Sequence, residues 1–330
     1  MANILVAGGA GFIGSHTLLA LDAAGHSLVT LDNLSNGHRD SVTFGKLVAG
    51  DLHDSQLLDL VLSENNIDAV IHFAAFIEAG ESVANPMAFY ENNVAGSLNL
   101  INAMIRNNVR TIVFSSTAAV YGQEGGGALL SETLPKLPIN PYGHSKWMVE
   151  CMLRDTAATG KLDAIALRYF NAAGSDPEGR LGEKHDPETH LIPLILDAAR
   201  GTREDIKIFG CDYDTPDGTC IRDYVHVTDL ATAHVLAMDS LLARGGDDAG
   251  FYDAMNLGTS NGHSVREVIE TAKQVTGIDF KVVEQARRPG DPACLVADAS
   301  KAQSVLGWQP ERTDLKTMIE DTWRFRRNLM

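Results

Sequence analysis

The chain has 330 residues, enough for two domains or for one domain with an added lobe. With 45% hydrophobic and 21% charged residues it can bury a sizeable core, which excludes global disorder. The net charge of −16 disfavours nucleic acid and anionic membranes as partners, while placed arginines and backbone N–H groups can still hold an anionic small molecule.

The first residues, Met1-Ala2-Asn3-Ile4-Leu5-Val6, lack a basic segment and a long apolar stretch. They read as a strand that begins at once, at residues 4–7, and no signal peptide is expected. Residues 13–24 have helical spacing and end at Gly25, a residue suited to the left-handed position after a helix. Strands are predicted at 27–31, 46–48 and 69–73, with an amphipathic helix at 55–64. A helical stretch covers much of 90–107, and 111–115 is the next strand. Residues 142–159 read as a helix and 164–168 as a strand. Strands separated by helices predict an α/β fold with a doubly wound parallel sheet.

After Asn171 the texture changes. Residues 172–189 are rich in Gly, Pro, Asp and Glu and lack a clear period, so a long functional loop is expected. Shorter elements follow: a helix at 191–200, a strand at 206–209 and a helix at 228–242. Ser264-Val265-Arg266-Glu267 has the form of a capping box before another helix. The simplest organisation is a Rossmann domain over residues 1–171 and a smaller C-terminal substrate lobe over 172–330, with some segments crossing back. The apolar runs are too short to span a bilayer. Cys151, Cys211, Cys220 and Cys294 are scattered and form no CxxC pair, so no metal site and no disulfide framework is expected, and reduced thiols in the cytoplasm are the default.

Gly8-Gly9-Ala10-Gly11-Phe12-Ile13-Gly14 joins the first strand to the first helix. Glycines there allow a tight turn and close approach of a pyrophosphate, and the helix N-terminus offers free N–H groups and a positive dipole end. Asp32 closes the second strand. A carboxylate there accepts hydrogen bonds from an adenosine ribose diol and repels a 2′-phosphate, which favours NAD over NADP. The plainer alternative for Asp32 is a turn residue before Asn33. Asp51 follows the third strand and suits either the adenine edge or an ordinary strand-end turn.

Tyr142-Gly143-His144-Ser145-Lys146 sets a tyrosine and a lysine one helical turn apart. A free phenol, with a pKa of about 10, is a poor base at neutral pH. An adjacent ammonium and a cationic nicotinamide ring would favour the phenolate and suit it to proton chemistry at an alcohol carbon. Ser115-Ser116-Thr117 places hydroxyls at the carboxyl end of a strand, where ligands bind in such sheets. Thr117 can serve the reacting hydroxyl or cap the strand.

Residues 8–14, Asp32-Asn33, Phe73-Ala74-Ala75, Asn92-Asn93-Val94, Ser115-Ser116-Thr117, Tyr142…Lys146 and Arg168-Tyr169-Phe170-Asn171 together resemble the extended short-chain dehydrogenase/reductase superfamily. Gly80-Glu81-Ser82-Val83, Ile208-Phe209-Gly210, Asp217-Gly218-Thr219, residues 221–227 and Arg287-Arg288-Pro289-Gly290-Asp291 narrow the resemblance to its UDP-hexose 4-epimerases, over essentially the whole chain. The resemblance implies tightly held NAD, a UDP-sugar substrate, a homodimer, and interconversion of UDP-glucose and UDP-galactose. In it, Tyr142 removes the C4 hydroxyl proton, Thr117 steers the C4 oxygen, and Lys146 bonds the nicotinamide ribose and tunes Tyr142. The 4-keto sugar then turns over before re-reduction, which requires a firm grip on UDP and a loose one on the sugar.

The same resemblance places NAD along Gly8, Gly11, Phe12, Ile13 and Gly14. It continues the cofactor site through Asp32, Asn33, Leu34, Ser35, Asn36 and Gly37, then Asp51, Leu52, Phe73, Ala74, Ala75, Ile77, Asn92 and Phe170, with Thr117, Tyr142 and Lys146 at the reacting end. It places the UDP-sugar at Asn171, His190, Leu191, Lys207, Ile208, Phe209, Arg222, Arg288, Asp291 and Leu295, beside Thr117 and Tyr142. Three positions depart from the family pattern. Ile77 stands where a lysine is frequent, His190 where an asparagine is frequent, and Leu295 where the far end of the sugar pocket is gated. Leucine there is intermediate between the bulky aromatic of narrow pockets and the small residue of pockets that take N-acetylated sugars. A nucleotide-sugar dehydratase on this scaffold needs acid–base carboxylates after the threonine, and Ala118-Ala119 supplies none. A non-catalytic NAD-binding regulator would not need Tyr142, Lys146 and Thr117 intact.

Overall fold

Ile4-Leu5-Val6-Ala7 is buried on both faces, the condition of a strand in a parallel sheet covered by helices. In the computed structural model, which describes residues 1–122, 129–245, 249–288 and 291–329, it belongs to β1 (Asn3–Ala7). The strands of the first half continue with β2 (Ser27–Asp32), β3 (Lys46–Ala49), β4 (Ala69–His72), β5 (Thr111–Thr117) and β6 (Asp163–Tyr169). Between them run α1 (Phe12–Ala23), α2 (Ser55–Glu64), α3 (Ala79–Ala84), α4 (Pro86–Phe89), α5 (Gly96–Arg106) and α6 (Pro141–Ala157). The second half adds β7 (Asn171–Ala173), α7 (Leu191–Ala199), β8 (Ile206–Phe209), β9 (Ile221–His226), α8 (Val227–Ala243) and β10 (Phe251–Leu257). After these come β11 (Gly262–Ser264), α9 (Val265–Thr276), β12 (Val282–Gln285), β13 (Cys294–Leu295), α10 (Ser300–Leu306) and α11 (Leu315–Arg326).

The main sheet has the order β3-β2-β1-β4-β5-β6-β10, with every pairing parallel. This is the doubly wound Rossmann order with one further strand at the β6 edge. Alternation along β1 sends Leu5 and Ala7 to one face and Ile4 and Val6 to the other. The first face packs on Leu58 and Leu62 of α2, Leu100 and Met104 of α5, and Val149 and Leu153 of α6. The second packs on Leu18 and Leu21 of α1 and on Leu230, Met238 and Leu241 of α8. Helix α8 and strand β10 therefore sit with the main sheet, although both lie in the second half of the chain.

The remaining C-terminal elements have their own core, in which Ile192, Ile195 and Leu196 of α7 meet Ile206 and Ile208 of β8, Ile269 of α9 and Ile319 of α11. Strand β9 joins this lobe to the sheet. It pairs with β7 and β13 in parallel and with β11 in antiparallel fashion. Its Asp223 is fully buried, and four donors satisfy the carboxylate: the Thr259 N–H (2.9 Å), the Thr259 hydroxyl (2.7 Å), and the Ser260 and Ala297 N–H groups (3.1 Å each). One side chain thus pins β9 to the turn after β10 and to the segment after β13.

Two helix ends behave as their sequences suggest, with one variation. Gly25 follows α1 at φ +82°, and Ser264 caps α9 by accepting from the Glu267 N–H at 3.0 Å. The Glu267 carboxylate does not return to Ser264; it accepts from His263 Nδ1 at 2.6 Å. The predicted helix over 90–107 is interrupted. Residues Tyr90–Ala95 form a π-helical turn before α5 begins at Gly96.

Replacing Asp223 by alanine removes the acceptor of four donors, the buried Ala297 N–H among them, and stability should fall by about 2–4 kcal/mol. Asp223→Asn, which keeps one acceptor oxygen, should lose less. Urea unfolding of the three proteins checks the ranking, and an alanine variant as stable as wild type would refute the hub.

Candidate active site

The cleft lies at the carboxyl ends of the main-sheet strands, between the sheet and the second lobe. At its floor the chain turns through Gly8 at φ +81°, where a Cβ would lie 2.5 Å from the Ala74 nitrogen. A Cβ on Gly14 would lie 2.4 Å from the Gly8 carbonyl oxygen. The loop is therefore packed tightly against its own scaffold at those two positions. At Gly11, by contrast, an added Cβ meets nothing nearer than 3.4 Å. Helix α1 starts there with no side-chain cap and no acidic residue in its first turn. Its free N–H groups and dipole remain available to an anion.

Asp32 stands buried at the end of β2, and its carboxylate accepts the N–H groups of Ala10 (3.0 Å) and Leu34 (2.8 Å). These bonds fix its orientation and leave lone pairs for a ribose diol. The uncapped helix, the open Gly11 and the oriented carboxylate fit a dinucleotide whose ribose carries free hydroxyls. Ser35, Asn36 and Gly37 line the same wall; Leu34 does not, and serves through its N–H on Asp32. Asp51 lines the cleft while its carboxylate is committed to the strand-end turn, accepting from Asn33 (2.7 Å) and from the His53 N–H (2.9 Å). Burial pushes its pKa up, but these bonds together with the His53 ring bring it below the usual carboxylate range.

Phe73, Ala74, Ala75 and Ile77 form the opposite wall. The π-helical turn arranges this region: it presents Asn92 to the cleft and turns Asn93 inward. The Asn93 side chain accepts from the Phe76 N–H (2.8 Å) and donates to the Phe76 carbonyl (3.0 Å) and to Ser145 Oγ (3.0 Å). The wall is thereby tied to α6. An extra residue in a helical turn is a frequent device at functional sites, and residue periodicity did not reveal it. With Ile77 in place of a lysine, this wall contributes no cation at that position.

Tyr142 and Lys146 occupy the first two turns of α6, whose N-terminus is set by Pro141 and by the Asn140 side chain accepting from the Gly143 N–H at 2.8 Å. Both line the cleft with Thr117, at the end of β5. Lys146 is buried, and its Nζ donates to the Ser115 carbonyl at 2.9 Å and lies 4.9 Å from the centre of the Phe114 ring. Burial lowers its pKa to about 7, against the raising charge of Glu150. Burial also pushes the Tyr142 phenol up to about 12, Thr117 acts in the opposite direction, and Glu78 adds to the rise. Thr117 is thus a group of the chain whose hydrogen bond favours the phenolate. Thr117 Oγ1 accepts from the Ala119 N–H at 3.1 Å, which leaves its proton free to donate.

Phe170, Asn171, His190 and Leu191 line the cleft on the side of the second lobe. Tyr224, opposite Asn171 in the β7–β9 register, lines it as well. Arg222 lies two residues earlier on β9 and so on the same face, further out. It is paired with Asp291, and Leu295 is its neighbour on β13. The Arg288 guanidinium stacks 4.0 Å above the Phe209 ring. Arg222, Arg288, Asp291, Phe209, Lys207 and Leu295 therefore stand beyond the main cleft rather than in its lining. Ile208 turns its side chain into the core of the lobe, and Lys207 is exposed. Pro289 and Gly290 lie outside the described residues.

Residues 172–189 are the segment expected to be a long functional loop. The structure places a charged cluster there. Glu183, almost fully buried, pairs with His185 Nδ1 (3.0 Å) and with His190 Nδ1, and Arg326 donates to Glu188 at 3.3 Å. Burial alone would lower the His185 pKa, but Glu183 and Glu188 raise it to about 10. His190 is raised for the same reason, and Glu183 is held below the usual carboxylate range by the two rings. Donor atoms of Glu183, His185, Glu188 and His190 lie within 4.8 Å of one another, a spacing open to a metal ion, yet the cluster is already balanced by its own charges and by Arg326. The Glu-x-His-x-x-Glu-x-His spacing was the signal that could have revealed it. Ile192 and Pro193 are further lining residues that no sequence pattern singled out.

The fold and the cleft define a dinucleotide-binding Rossmann protein with a tyrosine–lysine pair beside its nucleotide loop. Residues 4–258 match the model of the NAD dependent epimerase/dehydratase family. The chain is 51% identical, over 99% of its own length and 98% of the other, to a UDP-glucose 4-epimerase of Rhizobium meliloti. It is similar to the structure of a UDP-glucose 4-epimerase from Brucella ovis in complex with NAD, with a TM-score of 0.94, 46% identity and 98% of each chain covered. A second structure, of a UDP-glucose 4-epimerase from Bifidobacterium longum in complex with NAD+ and UDP, gives a TM-score of 0.91 at 38% identity with 99% of each chain covered. The chain belongs to the NAD dependent epimerase/dehydratase family, and its cofactor is NAD.

The charged cluster gives a pH-dependent stability. A raised His185 contributes fully below its ordinary 6.5 and loses that contribution as pH rises toward about 10. A lowered Glu183 contributes fully above its ordinary 4.5 and loses that contribution as pH falls. Glu183→Gln should therefore lower the melting temperature most at about pH 5.5, with a smaller gap at about pH 10. Thermal unfolding at both values checks this, and a gap that widens with pH would contradict the pairing.

Proposed function

We propose that this chain is an NAD-dependent UDP-glucose 4-epimerase, an isomerase that interconverts UDP-glucose and UDP-galactose. The observation that carries the reading is the convergence of Tyr142, Lys146 and Thr117 at the point where the dinucleotide cleft meets the second lobe. Near full-length similarity to UDP-glucose 4-epimerases supports it.

Residues 1–171 hold the cofactor and residues 172–330 hold the UDP-sugar, with α8 and β10 returning to the first body. NAD, when bound, supplies the acceptor and donor for the C4 hydrogen. Lys146 uses one of its three protons on the Ser115 carbonyl and has two left for the nicotinamide ribose. Thr117 donates to the C4 oxygen and orients it. Tyr142 takes the C4 hydroxyl proton and returns it after the sugar has turned over. A phenol at about 12 is held neutral at rest, so it ionises only when positive charge arrives beside it. This couples proton removal to a filled site.

Arg222 and Arg288 grip the diphosphate through charge-assisted bonds. Arg222 must leave Asp291 or share it to do so. The sugar end has a different surface: Leu295 and Phe170, both half-buried, pack on the apolar cluster of Val120, Tyr121 and Leu130. Such a wall offers few directional bonds, as rotation of a 4-keto sugar requires. Ala118 and Ala119 follow Thr117 with no carboxylate for elimination chemistry.

We further infer a homodimer. Leu98 on α5 and Met148 on α6 are each 44% exposed, and Val83 and Met87 lie exposed on α3 and α4. A second copy docking on this side would cover them. The four cysteines stand as free thiols, which supports a reducing compartment such as the cytoplasm.

Purified protein given UDP-galactose should form UDP-glucose without added NAD, read by NMR of the C4 proton. Offering UDP-N-acetylglucosamine and UDP-pentoses alongside measures the gate at Leu295. Tyr142→Phe should cut kcat by about 100-fold or more while UDP binding, followed by calorimetry, is retained. Unchanged turnover would remove the phenol from the mechanism. In light scattering wild type should run as a dimer, and Leu98→Glu with Met148→Glu should run as a monomer. A dimer that survives both changes would place the interface elsewhere.

A further inference from the structure

The column of side chains that carries the site continues one turn past it. Tyr142, Lys146 and Glu150 stand four residues apart along α6 and share a face. Glu150 is fully buried, an expensive place for a carboxylate. Arg168 on β6 holds both oxygens, through Nε on Oε1 (2.9 Å) and Nη2 on Oε2 (2.6 Å). Ser116 on β5 donates to Oε1 and Tyr252 on β10 to Oε2 at 2.8 Å. Arg168 also donates to the Tyr121 hydroxyl at 3.0 Å, which donates in turn to Asn256 at 2.6 Å.

A buried ion pair is often replaceable by apolar residues without loss. The placement of this network is the informative feature. Ser116 lies between Ser115, whose carbonyl accepts from Lys146, and Thr117, whose hydroxyl faces Tyr142. We propose that Glu150 is a positioning residue for the tyrosine–lysine pair: it clamps the Ser115–Thr117 strand end to α6 and supplies the counter-charge of the Lys146 ammonium. This inference deepens the epimerase reading and rests on it.

The charged and titratable groups around Lys146 come from each element packed on it. Tyr142 and Glu150 lie on α6, His72 on β4, and Arg168 and Tyr169 on β6, while Glu78 acts on Tyr142. His72 is kept neutral, at about 3, by burial and by Lys146 itself. Tyr169 bonds Ser115 and is pushed up by burial, so it too stays neutral. Arg168 is bound to Glu150. Among these groups Glu150 alone is an anion that opposes the desolvation of the ammonium.

The test is the double variant Glu150→Gln/Arg168→Met, which removes clamp and counter-charge without leaving a guanidinium unpaired. Titration of Lys146, followed by NMR on carbon-13-labelled lysine, should show its midpoint lowered by about one unit. With UDP-galactose, kcat should fall about tenfold while KM stays within about threefold, and the alkaline limb of the kcat profile should move to lower pH. A folded variant with the wild-type midpoint and wild-type kcat overturns the proposal. If circular dichroism shows the double variant unfolded, Ser116→Ala decides: a lowered kcat at unchanged KM supports the clamp, and unchanged kcat overturns it. Wild-type turnover is measured in parallel. Its absence would count against the epimerase reading, while the Lys146 midpoint would still decide the positioning.

Discussion

A single hydrogen bond, from Lys146 Nζ to the Ser115 carbonyl, references the chemistry to the scaffold. It joins the first turns of α6 to the end of β5, the strand next to the middle of the sheet. Because Lys146 is buried, its ammonium has few ways to be satisfied, and the carbonyl is held in place by the strand it belongs to. Once that bond is made, Tyr142 follows one turn earlier on the same helix and Thr117 two residues later on the same strand. The relative placement of Tyr142 and Thr117 is then set by two rigid elements rather than by loops, and a small displacement of either would misplace both.

Electrostatics in this protein are local. The chain carries a net charge of −16, yet its proposed ligands are themselves anionic. The cleft answers with backbone, through the uncapped start of α1, while the arginines proposed for the diphosphate stand beyond its lining and are already partnered: Arg222 with Asp291, and Arg288 over Phe209. Exposed single charges would be screened within about 10 Å at ordinary salt, so the acidic surface does little at the pyrophosphate. What counts there is the orientation of N–H groups at a few ångströms.

The parts of this architecture written in neighbouring residues were legible in the sequence. Apolar runs such as 4–7 and 111–115 named the strands, and the glycines at 8, 11 and 14 named the turn, because each depends on residues that touch within a few positions. The tyrosine and lysine were legible for the same reason. The π-helical turn at Tyr90–Ala95 was not, since its extra residue is held by Asn93 reaching Phe76 and Ser145 across the fold. Nor was the hub at Asp223, whose four donors lie 36 to 74 residues away. The return of α8 and β10 to the sheet belongs to the same class. Their amphipathic patterns announce a helix and a strand but carry no address.

In the proposed reading, unlike surfaces at the two ends of the substrate would let one protein hold a nucleotide while its sugar turns. Charge-assisted bonds are directional and strong, and they suit a handle that must not move. Apolar contact is non-directional, so in the proposed reading a ring turning beside Leu295 and Phe170 would meet nearly the same energy in either orientation. Had the far wall carried a fork of donors aimed at one hydroxyl, that hydroxyl's two orientations would differ by about the strength of a hydrogen bond to a charged group, 1.5–3 kcal/mol, and the ring would rest in one of them. In that reading the bland side chains proposed for the sugar end would matter as much as the polar ones at Tyr142. A polar substitution at Leu295 would act by making the two faces of the sugar unequal, before it acted by closing the pocket.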